Sequence, residues 1–248
     1  MVRRYFLRIH FQERITSMKI GIIGAMEVEV ETLKSKMNIK NTVKKASMEF
    51  FEGTIGNTEV VVVRSGIAKV NAGICVQILV DLFNVTHVIN SGVAGSLDAR
   101  INIGDIVLST DACYHDVDAT VFGYKKGEVP QLGTAAFTAD KELREKAKTA
   151  IKSAAPDLGV FEGRVCSGDQ FISSKEIKDG IKKDFDGMCT EMEGAAIAQG
   201  CYLNNIPFLI IRAISDKADG SDIVDYPVFE AKAAKDCAAL VLEMISKL

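Results

Sequence analysis

Acidic residues follow three apolar, strand-like runs of the sequence. Glu29 follows KIGIIGA, Glu191 and Glu193 lie in CTEMEGAAIA, and Asp216 closely follows PFLIIRAI. In α/β sheets the carboxyl ends of the strands form the edge where ligands bind. Carboxyl groups at such an edge can carry out general acid–base chemistry when their surroundings give them different pKa values. These acids are therefore the first candidates for a catalytic site.

Glu29 is the acid of its predicted helix that is best placed to face the interior. At 100° per residue it lies about 70° from the centre of the apolar stripe, whereas Glu27 and Glu31 lie about 90° and about 130° from it. Acids in the first turn of a helix also stabilise the helix dipole without any catalytic role. The pattern alone favours that simpler role for Glu29.

The other acids have equally plain alternatives. Glu191 and Glu193 flank Met192, and two such carboxylates are costly to bury unless each has partners. The sequence therefore supports a functional site and a solvated first turn of a helix equally well. Asp216 ends a very apolar strand, where burial would raise the pKa of its carboxyl and favour a protonated donor. Capping a helix is nevertheless the more common role for an aspartate in this context.

Other possible sites carry weaker signals. The stretch NSGVAGSLD, residues 90–98, follows a strand and contains glycines that would let backbone N–H groups approach a ligand, but it is not a G-x-G-x-x-G motif. His115, Asp116 and Asp118 offer possible metal ligands, although a single histidine in a polar loop more often only donates or accepts hydrogen bonds. We therefore predict no metal site.

Apolar, β-branched runs alternate with segments of helical period, which predicts a largely parallel mixed sheet covered on both faces. The fold class is thus a single three-layer αβα domain of the α/β class. The predicted strands are 19–25, 49–55, 58–65, 87–93, 105–109, 161–167 and 207–214, and the predicted helices are 27–37, 69–83, 139–153, 174–185, 192–204 and 227–248. Residues 111–138 form the longest irregular stretch, and loops of that length are often functional.

Composition excludes several classes of protein. The chain has 248 residues, 48% of them hydrophobic, and a net charge of −3, which fits one globular domain and argues against a general nucleic-acid binder. No run approaches the ~20 apolar residues of a membrane span. The six cysteines are scattered without a C-x-x-C pair, which indicates a reducing, cytoplasmic location.

Residues 1–17 are basic and lack a secretory pattern, so we expect a disordered tail or a start-site extension ahead of a domain at 18–248.

Taken in order, KIGIIGAMEVEVETL, SGIAKVNAG, INSGVAGSLD, GDIVLSTDACYHDVDATVFGY, SGDQFI, TEMEGAAIA and IIRAISDKADG closely resemble the 5′-methylthioadenosine/S-adenosylhomocysteine nucleosidases. These enzymes belong to the purine nucleoside phosphorylase-like superfamily, and the resemblance runs from about Met18 to Leu248. It implies hydrolysis of the N-ribosidic bond of either nucleoside, with release of adenine, for methionine salvage and methyl-cycle recycling. It also implies a cytoplasmic homodimer that needs no metal and no organic cofactor.

The resemblance further implies roles for individual residues. Glu29 matches the general base that activates water, and Asp216 matches the acid that protonates adenine at N7. Glu193 matches the carboxylate that holds the ribose hydroxyls, and Met192 packs against the sugar. The remaining matches are Phe171, which stacks on adenine; Ile172, which contributes backbone contacts to the base; Met26, Ile67, Phe122 and Tyr226, which line the 5′-alkylthio pocket; and Pro130, which belongs to the neighbouring subunit's site.

The sequence departs from some relatives at three positions. Val93 replaces a serine near the ribose, Ala119 replaces a valine near the 5′ pocket, and Gly194 replaces an alanine after Glu193. Each departure affects fine substrate preference rather than a catalytic group.

Three alternative functions stay open: a nucleosidase for another purine riboside such as futalosine, a purine nucleoside phosphorylase, and a nucleoside-binding protein without catalysis. A phosphorylase must bind a phosphate dianion, and the acids at 27, 29 and 31 make the first loop a poor place for an anion.

Overall fold

The computed structural model describes residues 18–219 and 226–248, with the side chains of Tyr226 and Pro227 outside the described part. The predicted tail at 1–17 also lies outside the described residues. The strands are β1 (Lys19–Gly24), β2 (Asn38–Lys45), β3 (Met48–Ile55), β4 (Thr58–Arg64), β5 (His87–Ser96), β6 (Ile106–Tyr114), β7 (Phe137–Thr138), β8 (Val160–Ser167), β9 (Cys189–Glu191) and β10 (Phe208–Asp216). The helices are α1 (Glu27–Ser35), α2 (Lys69–Phe83), α3 (Lys141–Ala154), α4 (Lys175–Phe185), α5 (Gly194–Leu203) and α6 (Tyr226–Ile245), with a 3₁₀ turn at Thr120–Phe122. The α/β class predicted from the alternation of elements is confirmed.

Among the described residues the strands form one mixed sheet in the order β10-β6-β8-β9-β5-β1-β4-β3-β2. β10 also pairs with β5 in parallel, so the strands β5, β10, β6, β8 and β9 close into a ring. β1, β4, β3 and β2 extend from β5 as an open sheet. The sequence predicted a covered sheet but contained no signal for this closure.

The closed arrangement brings the ends of β1, β5, β9 and β10 together. β5 pairs in parallel with β1 and with β10, and its residues Gly95 and Ser96 pair with the short antiparallel strand β9. The β5–β10 register shifts between Ile214 and Asp216, where β10 holds one more residue than its partner strand. A bulge of this kind redirects the side chains that follow it.

Two apolar clusters lie on the two sides of the sheet. α2 and α5 pack together over one side, with buried residues such as Leu79 and Ile197. α6 packs against α1 and α3 over the other side, with buried residues such as Leu33 and Val241. The central strands of the sheet are therefore covered by helices on both sides. None of the helices in the described part is long and apolar enough to cross a membrane.

Most predicted elements are present with shifted ends, and three strands, β2, β7 and β9, were missed. β2 reads NIKNTVKK, is exposed on both faces and, within the described part of the chain, pairs with β3 alone, so it lacks the alternation of a half-buried strand. β9 has only 3 residues, too few for a periodic signal. The region 111–138, predicted as irregular, contains the end of β6, the 3₁₀ turn and β7.

Candidate active site

One cavity of about 400 Å³ opens where β1, β5, β9 and β10 end. The four acids singled out from the sequence, Glu29, Glu191, Glu193 and Asp216, all line it. We call it the central cavity; its other lining residues are Ala25, Met26, Ile67, Val93, Ala94, Gly95, Phe171, Thr190, Met192, Ser215 and Glu230. Carboxyl groups from four separate parts of the chain are thus brought to one mostly buried space.

The carboxyl group of Glu29 is buried and held by backbone donors. Its Oε2 accepts hydrogen bonds from the N–H groups of Ala25 at 2.6 Å and Met26 at 3.0 Å, and its Oε1 accepts one from Val93 at 3.2 Å. Burial raises the pKa of Glu29 above its usual value, although Arg212 and these donors oppose the rise. The interior orientation predicted from the helix stripe is observed, and the result is a fixed, unusually basic carboxylate.

Arg212 of β10 is fully buried among acidic and polar groups. Its Nη2 donates to Glu191 Oε2 and to Asn90 Oδ1, and its Nη1 donates to the Ile211 carbonyl at 3.2 Å. Burial opposes the charge of Arg212, but Glu191, Glu29 and Glu193 outweigh it and raise its pKa. The guanidinium therefore stays charged and provides the positive charge that these buried acids require.

Glu191 has the partners that its burial requires. Its carboxylate accepts hydrogen bonds from the guanidinium of Arg212 and from the hydroxyl of Ser167. It also accepts hydrogen bonds from the N–H groups of Glu193 at 3.2 Å and Gly194 at 2.8 Å. Ser167 also accepts the N–H of Ala195 at 2.7 Å, which joins β8 to the start of α5. Glu191 therefore acts as a structural carboxylate that fixes the start of α5.

Glu193 is the second acid of the pair and faces the central cavity. Its Oε1 accepts the N–H of Ala68 at 2.8 Å. Ala68 has a φ of 81°, a conformation that L-residues rarely adopt and that usually persists only where the surrounding structure enforces it. Burial, reinforced by the nearby Glu191, raises the pKa of Glu193 to about 8.

Asp216 follows the register shift of β10 and is buried. Its Oδ1 accepts the hydroxyl of Ser215 at 2.8 Å, and its Oδ2 accepts the N–H of Ala218 at 2.8 Å. Asp216 is the last residue of β10, and no helix begins directly after it in the described part of the chain; helix capping was the alternative that the sequence left open. Its carboxyl group lies beside Gly95, where a Cβ would lie 2.9 Å from Oδ2.

The glycines of residues 90–98 have a different role from the one expected. β5 continues through this stretch to Ser96, so most of it belongs to a strand and not to a ligand-binding loop. A Cβ at Gly92 would lie 2.7 Å from Glu29 Oε1 and 3.2 Å from Arg212 Nη1. The absence of side chains at Gly92 and Gly95 therefore leaves room for the carboxyl groups of Glu29 and Asp216.

The structure brings only some of the predicted binding residues together. Met26, Ile67, Phe171 and Met192 line the central cavity, and Ile172 is buried beside a smaller pocket that adjoins it through Phe171, Met192 and Asp216. Phe122 and Pro130 are exposed and do not line the cavity of their own chain. Tyr226 begins α6, and its side chain lies outside the described residues. Ala119 directly precedes the 3₁₀ turn, away from the lining of the cavity.

Sequence reasoning missed Arg212, Asn90 and Ser167. Arg212 stands in LIIRAI, and a single arginine within so apolar a strand is a signal that a buried acid requires a partner. Asn90 and Ser167 end apolar runs and carry no comparable signal.

The possible metal ligands have other surroundings. His115 is buried and burial lowers its pKa, while Asp116 is paired with Lys69 at 2.6 Å. Within the described residues no group of acidic, cysteine or histidine side chains is arranged to hold a metal ion.

Comparisons with known proteins agree with this geometry. Residues 19–246 match the model of the phosphorylase superfamily. A curated 5′-methylthioadenosine/S-adenosylhomocysteine nucleosidase of Staphylococcus aureus (strain bovine RF122 / ET3-1) is 43% identical over 92% of this chain and 100% of its own length. The solved structure of the Neisseria meningitidis enzyme of that name, in complex with methylthio-immucillin-A, has a TM-score of 0.89 at 40% identity, over 93% of this chain and 99% of that one. A futalosine hydrolase of Helicobacter pylori has a TM-score of 0.88 at 31% identity, over 93% and 98%.

The close approach at Gly92 leads to a prediction for stability. We expect Gly92→Ala to lower the free energy of unfolding by about 1–3 kcal/mol, because its methyl group must displace Glu29 or Arg212. The matched control is Gly73→Ala in α2, where an added Cβ meets nothing within 4 Å. That variant should gain about 0.5–1 kcal/mol from the better helix former. Urea unfolding of both variants is the measurement; equal effects would contradict the steric role of Gly92.

The raised pKa of Glu193 predicts how stability depends on pH. In the folded protein Glu193 keeps its proton up to a pH of about 8, whereas the unfolded chain releases it near the usual pKa of 4.5. The folded state therefore binds more protons in this window, so stability falls as the pH rises from about 4.5 to about 8. We expect Glu193→Gln to flatten this dependence in urea unfolding at several pH values. Glu142→Gln, at an exposed position of α3, should leave it unchanged; an unchanged slope in Glu193→Gln would refute the assignment.

Proposed function

The chain belongs to the phosphorylase superfamily and, within it, to the 5′-methylthioadenosine/S-adenosylhomocysteine nucleosidases, and we propose that the central cavity is its active site. The protein hydrolyses the N-ribosidic bond of these nucleosides and releases adenine and the 5-thioribose product, a reaction that serves methionine salvage. The observation that carries the site assignment is that Glu29, Glu193 and Asp216 line the same cavity.

Glu29 is the proposed general base. Its carboxylate is held by three backbone donors and its pKa is raised by burial, so it is fixed in place and more basic than a solvated glutamate. It takes a proton from water as the water oxygen bonds to C1′ of the ribose. The positive charge that develops on the sugar favours this attack, as in glycoside hydrolysis generally.

Asp216 is the proposed general acid. As the C1′–N9 bond breaks, its electron pair passes to the purine, and Asp216 delivers a proton to N7 so that adenine leaves as a neutral molecule. The carboxyl group is buried at the end of β10, and in this proposal it carries the proton before the reaction. Together the two groups add one water molecule across the bond.

The binding residues surround these two groups. We assign the ribose hydroxyls to Glu193, with Met192 against the sugar and Phe171 and Ile172 beside the adenine. Met26 and Ile67 line the cavity where the 5′-alkylthio group would lie. Tyr226 stays a prediction for the same pocket. Val93 lines the cavity as well, so it presents an apolar side chain near the ribose.

The charges of the site favour water over phosphate as the nucleophile. Glu29, which acts as an ionised base in this proposal, and Glu191 line the space where the nucleophile would approach, and a phosphate dianion would be repelled there. Arg212 is buried and already engaged by Glu191 and Asn90. A nucleosidase acting on futalosine is the second candidate, because the Helicobacter pylori enzyme of that name has a closely similar fold.

We also propose a homodimer in which Pro130 and Phe122 contribute to the partner's site. Both are exposed and lie away from the cavity of their own chain, and Val121 beside Phe122 is 84% exposed. A second copy that covers this apolar turn would complete the 5′ end of the site.

The catalytic domain is proposed as residues 18–248. The six cysteines are all free and buried, in agreement with a reducing compartment, and the cytoplasmic location stays a prediction.

Phosphate dependence is the first test of this function. We expect rapid release of adenine and methylthioribose from methylthioadenosine in phosphate-free buffer, with a rate that added phosphate does not change. A requirement for phosphate would make the protein a phosphorylase. If adenine is not released, futalosine is the next substrate to assay, and failure on both would leave a nucleoside-binding protein.

Two variants test the acid and the base separately. Asp216→Asn and Glu29→Gln should each lower kcat for methylthioadenosine by about 10²–10⁴-fold, the range for loss of one proton-transfer group. Nucleoside binding, measured by calorimetry, should be largely retained. Asp179→Asn and Glu142→Gln, at exposed positions on α4 and α3, are the matched controls. Near-normal activity in either active-site variant would show that its assignment is wrong.

A further inference from the structure

One peptide group connects the proposed acid to a lysine on a neighbouring helix. The N–H of Ala218 donates to Asp216 Oδ2 at 2.8 Å. The carbonyl of Lys217 belongs to the same amide and accepts a hydrogen bond from Lys178 Nζ at 2.5 Å. A lysine ammonium and the Asp216 carboxyl group thus bind opposite ends of a single amide.

The backbone around this amide is held in an unusual conformation. Ala218 is buried and has a φ of 55°, in the left-handed region that alanine rarely adopts. Its side chain packs with Ile181 and Phe185 of α4, and a Cβ at Gly95 would lie 2.9 Å from the Cβ of Ala218. Such a conformation persists only where the surroundings enforce it, and here they fix the direction of the N–H group.

Lys178 is itself well placed to act on this amide. It lies in the middle of α4, a helix that begins with the side-chain cap of Ser174 and is anchored by Lys182 to the carbonyl of Gly187. Its side chain is only 15% exposed, and its Nζ lies 3.6 Å from Asp219. The ammonium is therefore directed at the 217–218 amide by a rigid element.

We propose that Lys178 is a positioning residue for the acid–base reaction, acting on Asp216 through the amide between Lys217 and Ala218. A charged donor on the carbonyl polarises the amide, which strengthens the hydrogen bond that its N–H makes. That bond favours the carboxylate left on Asp216 after its proton has gone to the leaving adenine, and it holds the side chain towards the cavity. Lys178 does not line the cavity, and its role rests on the proposed function of Asp216.

Lys178→Met tests this proposal because it keeps the apolar stem and removes the donor. We expect kcat for methylthioadenosine to fall about 10-fold with KM nearly unchanged, since a misplaced catalytic group costs rate more than binding. Lys178→Arg retains a charged donor and should recover most of the rate. Lys175→Met, on the exposed side of α4, is the control and should behave as the wild type. A melting temperature for each variant checks folding, and Lys178→Gln replaces Lys178→Met if that variant is unstable.

A change of leaving group separates positioning of the acid from general damage. In a 5-methylthioriboside of 4-nitrophenol, the leaving group departs as a phenolate and needs no proton from an acid. Hydrolysis of this substrate should therefore lose much less rate in Lys178→Met than hydrolysis of methylthioadenosine. An equal loss on both substrates, or a kcat for methylthioadenosine within twofold of the wild type, would overturn the proposal. Failure of the wild type to release adenine would instead refute the proposed function, so the two failures are distinguishable.

Discussion

The buried guanidinium of Arg212 is the constraint on which the rest of the site depends. Burial opposes its charge, but the carboxyl groups of Glu191, Glu29 and Glu193 outweigh burial and raise its pKa, and Asn90 Oδ1 accepts a hydrogen bond from it. Removing these charges from water is costly, and an ion pair at such a depth roughly balances its own desolvation. Its contribution is geometric: strands β5, β9 and β10 must meet at one fixed spacing for Arg212 Nη2 to reach both Asn90 and Glu191. Closure of the sheet into a ring supplies that spacing.

The same burial has different consequences for neighbouring acids. Glu191 is held by Arg212, Ser167 and the backbone of α5, so all its partners are internal. Glu29 and Glu193 face the cavity with fewer donors, and burial raises the pKa of both. One water-poor space therefore contains a structural carboxylate and two carboxyl groups with altered acidity. Differences in hydrogen-bond donors, more than differences in depth, separate the structural acid from the proposed functional ones.

The sequence predicted the parts of this structure that depend on local pattern. The helix at Lys69–Phe83 agrees with its predicted limits, and the inward orientation of Glu29 followed from an apolar stripe of a few residues. The closure of the ring could not be predicted, because it depends on β10 pairing with both β5 and β6 over long separations along the chain. The partner of Glu191 was missed for the same reason: Arg212 is 21 residues away, and only the fold brings the two together.

The register shift in β10 illustrates how such non-local features determine chemistry. Ile214 lies opposite Ala94, yet Asp216 lies opposite Gly95, so Ser215 is the extra residue of a bulge. Without the shift, Asp216 would be displaced by one position along β5, away from the residue whose missing side chain leaves room for its carboxyl group. The bulge on β10 and the glycine on β5 are therefore both needed to place the Asp216 carboxyl group. Each part by itself has little meaning in the sequence, since a glycine in a strand is merely permissive and an aspartate after a strand is commonly a cap.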